Sequence, residues 1–125
     1  MADLHELFSG AAHGVVALDE HLVPDDVVEA VAAHGWQAMR VRGGDKATTL
    51  ASFSEAGRFP IPSTNWDSLQ DWLGDLSWLG PADGWLVVLD AEPDEVLRSV
   101  LDQAGQEWAD RGTPFVAIVA GGAQD

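Results

Sequence analysis

The 125-residue sequence contains no cysteine. A chain without cysteine has no disulfide, no thiolate metal site and no cysteine nucleophile. This composition agrees with a reducing compartment, and we expect the protein to be cytoplasmic. No basic segment precedes an apolar run near the N-terminus, so a secretory signal is not predicted. The apolar runs are far too short to span a bilayer, so no membrane-spanning segment is predicted.

Basic residues are scarce as well. Six Lys and Arg stand against 21 Asp and Glu, for a net charge of −15. Residues 1–30 hold seven acids and no Lys or Arg, and residues 61–111 hold eleven acids against Arg98 and Arg111. Such a surface repels nucleic acid and anionic membranes and attracts basic partners over long range. Solubility alone remains the alternative explanation for most of these charges.

The hydrophobic pattern predicts a single domain of the α/β class. The length suits one core, and short apolar runs alternate with stretches of helical periodicity. The expected element order is βαβ-α-α-β-α-β, which gives a small, mostly parallel sheet of three to four strands packed against helices. The first two strands and the helix between them form a βαβ-like unit, so we expect those strands to pair in parallel. The predicted strands are residues 15–19, 36–41, 85–89 and 114–119, and the main helices begin at or just after Pro24, Asp45, Asn65 and Asp94.

The stretch Phe59–Trp78 contains a helical pattern with two distinct faces. At about 100° per residue, Asp67, Asp71 and Asp75 fall within about 80° of arc. The apolar positions lie roughly opposite; they are Trp66, Leu69, Trp72, Leu73 and Leu76. One face can therefore pack on a core while the other presents negative charge, with Trp78 expected near the aspartates if the helix reaches it.

The residues give little support to catalysis or metal binding. Asp67 and Asp71 are i,i+4 neighbours, but no histidine has a spacing relation to them and the chain has no G-x-S-x-G motif. The four histidines all lie within the first 34 residues and form no i,i+4 pair, so we expect neither a metal nor another cofactor. Residues 43–46 lack the full phosphate-loop pattern.

A purely structural interpretation of the acidic face is also open. Thr64 as an N-cap with Asp67 three residues later fits a capping box, which leaves Asp71 and Asp75 as solvated charges. However, like charges at i,i+4 repel, so the aspartate series weakens the helix unless something basic binds it.

The run from Phe59 to Trp78, with Asn65-Trp66-Asp67-Ser68-Leu69 at its centre, resembles the signature of the barstar family. Members of that family are small intracellular inhibitors of barnase-type ribonucleases. The resemblance extends more weakly from residues 36–41 to 114–119. It divides the chain into a barstar-like core at 36–120 and an N-terminal βα extension at 1–35.

The resemblance implies a partner-binding surface. In the family, carboxylates on a helix and in the loop before it occupy the nuclease active site in place of substrate phosphates. By position, the two helix aspartates match Asp67 and Asp71, with Asp71 dominant, and a glutamate of the last helix matches Glu107. Asp75 lies on the same face. Two departures from the family pattern are expected to alter specificity: residues 61–64 replace an aromatic-Gly pair, and Gln70 replaces a tryptophan.

Three functions follow as hypotheses. The first is a non-enzymatic inhibitor, acting as a monomer, that occludes a basic ribonuclease with Asp71 as anchor and Asp67 and Glu107 as supporting acceptors. In this hypothesis Ile61 to Asn65 and Gln70 match the shape of the partner. The second is an adaptor with the same fold that binds another basic protein. The third is a small acidic enzyme that depends on Asp67.

Overall fold

Four parallel strands form one sheet in the order β1-β4-β3-β2 in the computed structural model, which describes residues 4–10, 12–18 and 21–119. The strands are β1 (Gly14–Val15), β2 (Trp36–Val41), β3 (Gly84–Leu89) and β4 (Phe115–Val119). The helices of the described residues are α1 (Leu4–Ser9), α2 (Pro24–Ala33), α3 (Lys46–Ala56), α4 (Trp66–Asp75) and α5 (Glu95–Asp110). The predicted α/β class with a small parallel sheet is confirmed. No helix in these ranges has the length and apolar character needed to cross a membrane.

Helix starts follow local capping chemistry. Asp45 caps α3 and Asp94 caps α5, at the positions where the sequence predicts that these helices begin. Their carboxylates accept from the Thr48 and Leu97 amides at 2.7 and 2.8 Å. These caps satisfy amide donors that have no partner within the helix. At α4 the expected capping box is wrong, because Asn65 and not Thr64 is the N-cap.

Helices cover both faces of the sheet and enclose two cores. β3 is buried along its whole length, as its continuous apolar run predicts. Its side chains point alternately to the two faces of the sheet. Trp85, Val87 and Leu89 join the core under α3, α4 and α5. Leu86 and Val88 join the core under α1 and α2. Residues before Trp36 therefore supply the cover for one face of the sheet.

The expected pairing of the first two strands is wrong. β1 pairs with β4, in the register Gly14 to Val116, whereas β2 pairs with β3, so β1 and β2 form opposite edges. The first strand is also shorter than predicted, and Asp19 of the predicted run lies outside the described residues. A contact with a distant segment stabilises β1 at this edge: Asp102 of α5 accepts a hydrogen bond from the Val15 amide at 2.9 Å. Local periodicity carries no information about such a contact.

Candidate functional site

α4 has the two faces that its sequence predicts. Leu69 and Leu73 are fully buried in the core, while Asp67, Asp71 and Asp75 are exposed on the other side. Burial of the leucines fixes the rotation of the helix about its axis, and this rotation directs the aspartates to solvent. The acidic face is thus set by the packing of its opposite side.

The helix ends at Asp75 and does not reach Trp78, so the condition for placing Trp78 beside the aspartates is not met. Leu76 follows α4 with a φ of 54°, a left-handed conformation that terminates the helix, and its side chain is fully buried. Trp78 lies in a 3₁₀ turn (Ser77–Leu79), donates to the Gly57 carbonyl at 2.8 Å and packs edge-on against Phe59 and Trp72. Its indole supports the core.

A groove between α4 and α5 gathers side chains that are distant in sequence. It has a volume of about 380 Å³, and its lining residues are Gln70, Asp71, Gly74, Asp75, Glu107 and Arg111. The indole N–H of Trp108 donates to the Leu73 carbonyl at 2.7 Å and joins the two helices beside it. The fold therefore brings four of the sequence-selected residues together, Glu107 among them. Asp67 lies one turn earlier on the exposed face of α4 and does not line the groove.

Gly74 allows Glu107 to lie close to α4. A Cβ built at Gly74 would be 2.8 Å from Oε1 of Glu107, which is closer than two such atoms can approach. The glycine in the last turn of the acidic helix therefore leaves space for the carboxylate. Sequence reasoning missed this role, because only the packing of α5 on α4 reveals it.

Replacement of Gly74 by alanine is expected to stabilise the fold while weakening binding of the partner. Gly74 lies in the last turn of α4, and alanine is favoured over glycine within a helix by up to about 0.5–1 kcal/mol, so the free energy of unfolding should rise. The Glu107 carboxylate, at the flexible end of its side chain, must move, and affinity for a partner that it contacts should fall several-fold. Urea unfolding and surface plasmon resonance measure the two effects. Weaker binding that persists in Gly74→Ala when Glu107 is already Gln would contradict this explanation.

The loop before α4 presents an apolar side chain. Ile61 is 66% exposed, between Pro60 and Pro62, which are also exposed. The following residue, Ser63, is buried: its amide donates to Ser54 Oγ at 2.9 Å and its hydroxyl donates to the Asn65 carbonyl at 3.1 Å. The loop is thus anchored at one end while Ile61 projects from it.

Asn65 already has a structural task. Its side-chain oxygen accepts from the Ser68 amide at 2.7 Å as the N-cap of α4. The side chain remains exposed, so its position in the candidate surface is next to the first turn of the helix. Any contact that it makes with a partner has to leave the cap intact.

Metal-binding chemistry finds no geometric support in this part of the chain. Within residues 4–10, 12–18 and 21–119, no three His, Cys, Asp or Glu side chains are grouped as metal ligands. Asp71, Asp75 and Glu107 share the groove without forming such a group. The groove is suited to hydrogen bonds and ion pairs with cationic side chains.

Comparison with known proteins identifies the family. No curated protein sequence and no solved structure gives a significant match to the chain. The family model described as Barstar (barnase inhibitor) matches residues 36–120, which contain β2 to β4, α3 to α5 and the whole groove. This match covers more than half of the sequence, and the chain belongs to the barstar family.

Proposed function

We propose that this protein is a non-enzymatic inhibitor, an antitoxin or immunity protein, which occludes the active site of a basic, barnase-type ribonuclease. The observation that carries the proposal is the groove in which Glu107 of α5 lies beside Asp71 and Gln70 of α4. Family membership supports it, since the family is described as barnase inhibitors. The inhibitor would act in the cytoplasm as a monomer and protect the RNA of the cell that makes the nuclease.

The mechanism follows from the chemistry of the two surfaces. A ribonuclease binds the phosphates of its substrate with Arg and Lys side chains. Asp71 and Glu107 present carboxylate oxygens that accept charge-assisted hydrogen bonds from the same cations. Asp67, one turn away, extends the row of acceptors along α4. Ile61 and Gln70 supply the remaining contacts, so the inhibitor blocks the site without taking part in a reaction.

The overall charge assists the encounter. With a net charge of −15, the protein attracts a basic enzyme before contact. Ion pairs within the complex then fix its orientation, because opposite potentials meet only in the correct register. The rate of encounter depends on the net charge, whereas the orientation in the complex depends on individual ion pairs. Added salt mainly weakens the first effect, and single substitutions at the interface mainly weaken the second.

The association rate should therefore fall steeply with salt. The screening length shrinks from about 30 Å at 0.01 M to about 8 Å at 0.15 M, so steering is largely lost over this range. We expect at least a tenfold decrease in association rate constant, roughly the part of the rate that steering supplies. Stopped-flow fluorescence with a panel of barnase-type ribonucleases measures it, together with inhibition of RNA cleavage. A rate independent of salt, or the absence of binding and inhibition across the panel, would refute the proposal.

One feature favours a second candidate function, an adaptor for a different basic protein. The loop residues Ile61 to Thr64 stand where the family has an aromatic-Gly pair, which removes part of the usual contact surface. Pull-down from lysate compared with the ribonuclease panel distinguishes the two functions. An adaptor would leave RNA cleavage by every enzyme of the panel unchanged and would still require the groove carboxylates for capture of its own partner.

A further inference from the structure

Arg111 places a positive charge in a groove lined otherwise by carboxylates and polar groups. It is the C-cap residue of α5, and its backbone N–H donates to the Trp108 carbonyl at 3.0 Å. Asp71, Asp75 and Glu107 line the same groove. A cation at the C-terminus of a helix interacts favourably with the helix dipole, but this accounts only for its position along α5.

The guanidinium is held on a fixed aromatic surface. Its central carbon lies 4.4 Å from the centroid of the Trp108 ring. That indole is itself held by the hydrogen bond to Leu73 and by packing against Trp85, with ring centroids 5.4 Å apart. Stacking on an immobilised ring limits the rotamers of Arg111, so little further side-chain entropy is lost when a partner binds it.

The donors of Arg111 are not used within the molecule as described. Arg40 pairs with Asp25 at 2.6 Å and Arg98 pairs with Glu92 at 3.4 Å. Among residues 4–10, 12–18 and 21–119, the guanidinium of Arg111 forms neither an ion pair nor a hydrogen bond, although three carboxylates share its groove. The groove thus offers both a set of acceptors and a planar donor.

From this geometry, and resting on the function proposed above, we infer that Arg111 is a specificity-determining residue that pairs with a carboxylate of the ribonuclease. A uniformly basic partner surface would be repelled by Arg111 at the point where it meets Asp71 and Glu107. A partner with a carboxylate beside its cations can pair with the groove carboxylates and with Arg111 at the same time. A guanidinium forms two parallel hydrogen bonds with a carboxylate, and this geometry fixes the relative position of the two proteins. The target therefore presents a mixed surface, with an acid next to its phosphate-binding cations.

Charge reversal at Arg111 tests the inference. A partner carboxylate at this position predicts weaker binding of the variant, whereas a uniformly basic partner surface predicts tighter binding. Arg111→Glu makes the groove more negative by two charges. If Arg111 pairs with a carboxylate, dissociation from the most tightly bound ribonuclease of the panel should accelerate by about tenfold or more, and affinity should fall. If the partner is uniformly basic there, the same variant should bind more tightly, which would overturn the inference.

Matched variants separate local pairing from overall charge and from stability. Arg98→Glu makes the same charge change on the same helix outside the groove, so it should leave the dissociation rate nearly unchanged. Arg111→Lys keeps the charge at the helix end but loses the planar fork, and it should restore binding only partly. Thermal unfolding of each variant shows whether the end of α5 is destabilised. If Arg111→Glu loses no more affinity than Arg98→Glu does, the inference is overturned.

Double-mutant cycles locate the partner group. Each carboxylate near the active site of the ribonuclease is replaced by its amide and paired with Arg111→Gln. In the ribonuclease variant that lacks the paired carboxylate, Arg111→Gln should have almost no effect on affinity. If the effects of Arg111→Gln and of every carboxylate replacement on the binding free energy simply add, the inference is overturned. The proposed function is tested separately, and it fails if Asp71→Ala leaves binding unchanged. If Asp71→Ala binds more weakly but Arg111→Glu binds more tightly, only the pairing of Arg111 with a carboxylate is refuted.

Discussion

Replacement of Asp71 by alanine is expected to weaken binding of the target ribonuclease about a hundredfold or more. Loss of one member of a desolvated charge pair leaves the partner's cation without its acceptor, at a cost of roughly 3 kcal/mol. Asp71 lies at the middle of the exposed face of α4 and also lines the groove, so it is central to the candidate surface. Surface plasmon resonance gives the dissociation constant, and inhibition of RNA cleavage gives an independent measure.

The same change should leave the protein folded or slightly more stable. Asp67, Asp71 and Asp75 are like charges four residues apart, and removal of the middle one relieves repulsion of a few tenths of a kcal/mol. Asp26→Ala on α2 is the matched control, since it removes one exposed carboxylate on the opposite side of the sheet. Equal effects of the two substitutions on affinity would mean that only net charge matters and that Asp71 is not an anchor.

Replacement of Gly105 by alanine should destabilise the protein by about 2 kcal/mol, although alanine is the better helix former. A Cβ at Gly105 would lie 2.4 Å from the Gly14 nitrogen and 2.7 Å from its Cα. These are backbone atoms of β1, which cannot move away as a side chain can. The strand would have to leave α5, with loss of the Asp102 hydrogen bond to Val15.

Gly74→Ala provides the comparison, since it is the same substitution in the neighbouring helix α4. There the new Cβ meets only the flexible end of Glu107, whereas in α5 it meets backbone. Urea unfolding of both variants should therefore give changes of opposite sign. If Gly105→Ala were as stable as wild type, the close packing of β1 against α5 would not contribute to the fold as the structure indicates.

Part of the candidate site follows from the sequence alone. The period of the leucines in α4 places Asp67, Asp71 and Asp75 on one exposed face, because side-chain direction along a helix is fixed by its geometry. Glu107 enters from the family resemblance, and the structure then brings it to Asp71 and Gln70. Its contribution to binding, like that of Ile61, stays a prediction.

The features that can be predicted from the residue pattern are local: the starts of α3 at Asp45 and of α5 at Asp94, the buried strand β3 and the two faces of α4. Each depends on residues within a turn or two of one another, so periodicity and cap chemistry are sufficient. Packing between elements sets the rest: β1 joins β4, Gly74 of α4 leaves space for Glu107 of α5, and Arg111 of α5 lines the same groove as Asp71 of α4. These features depend on contacts between distant segments, and the pattern of one segment does not specify which other segment packs against it.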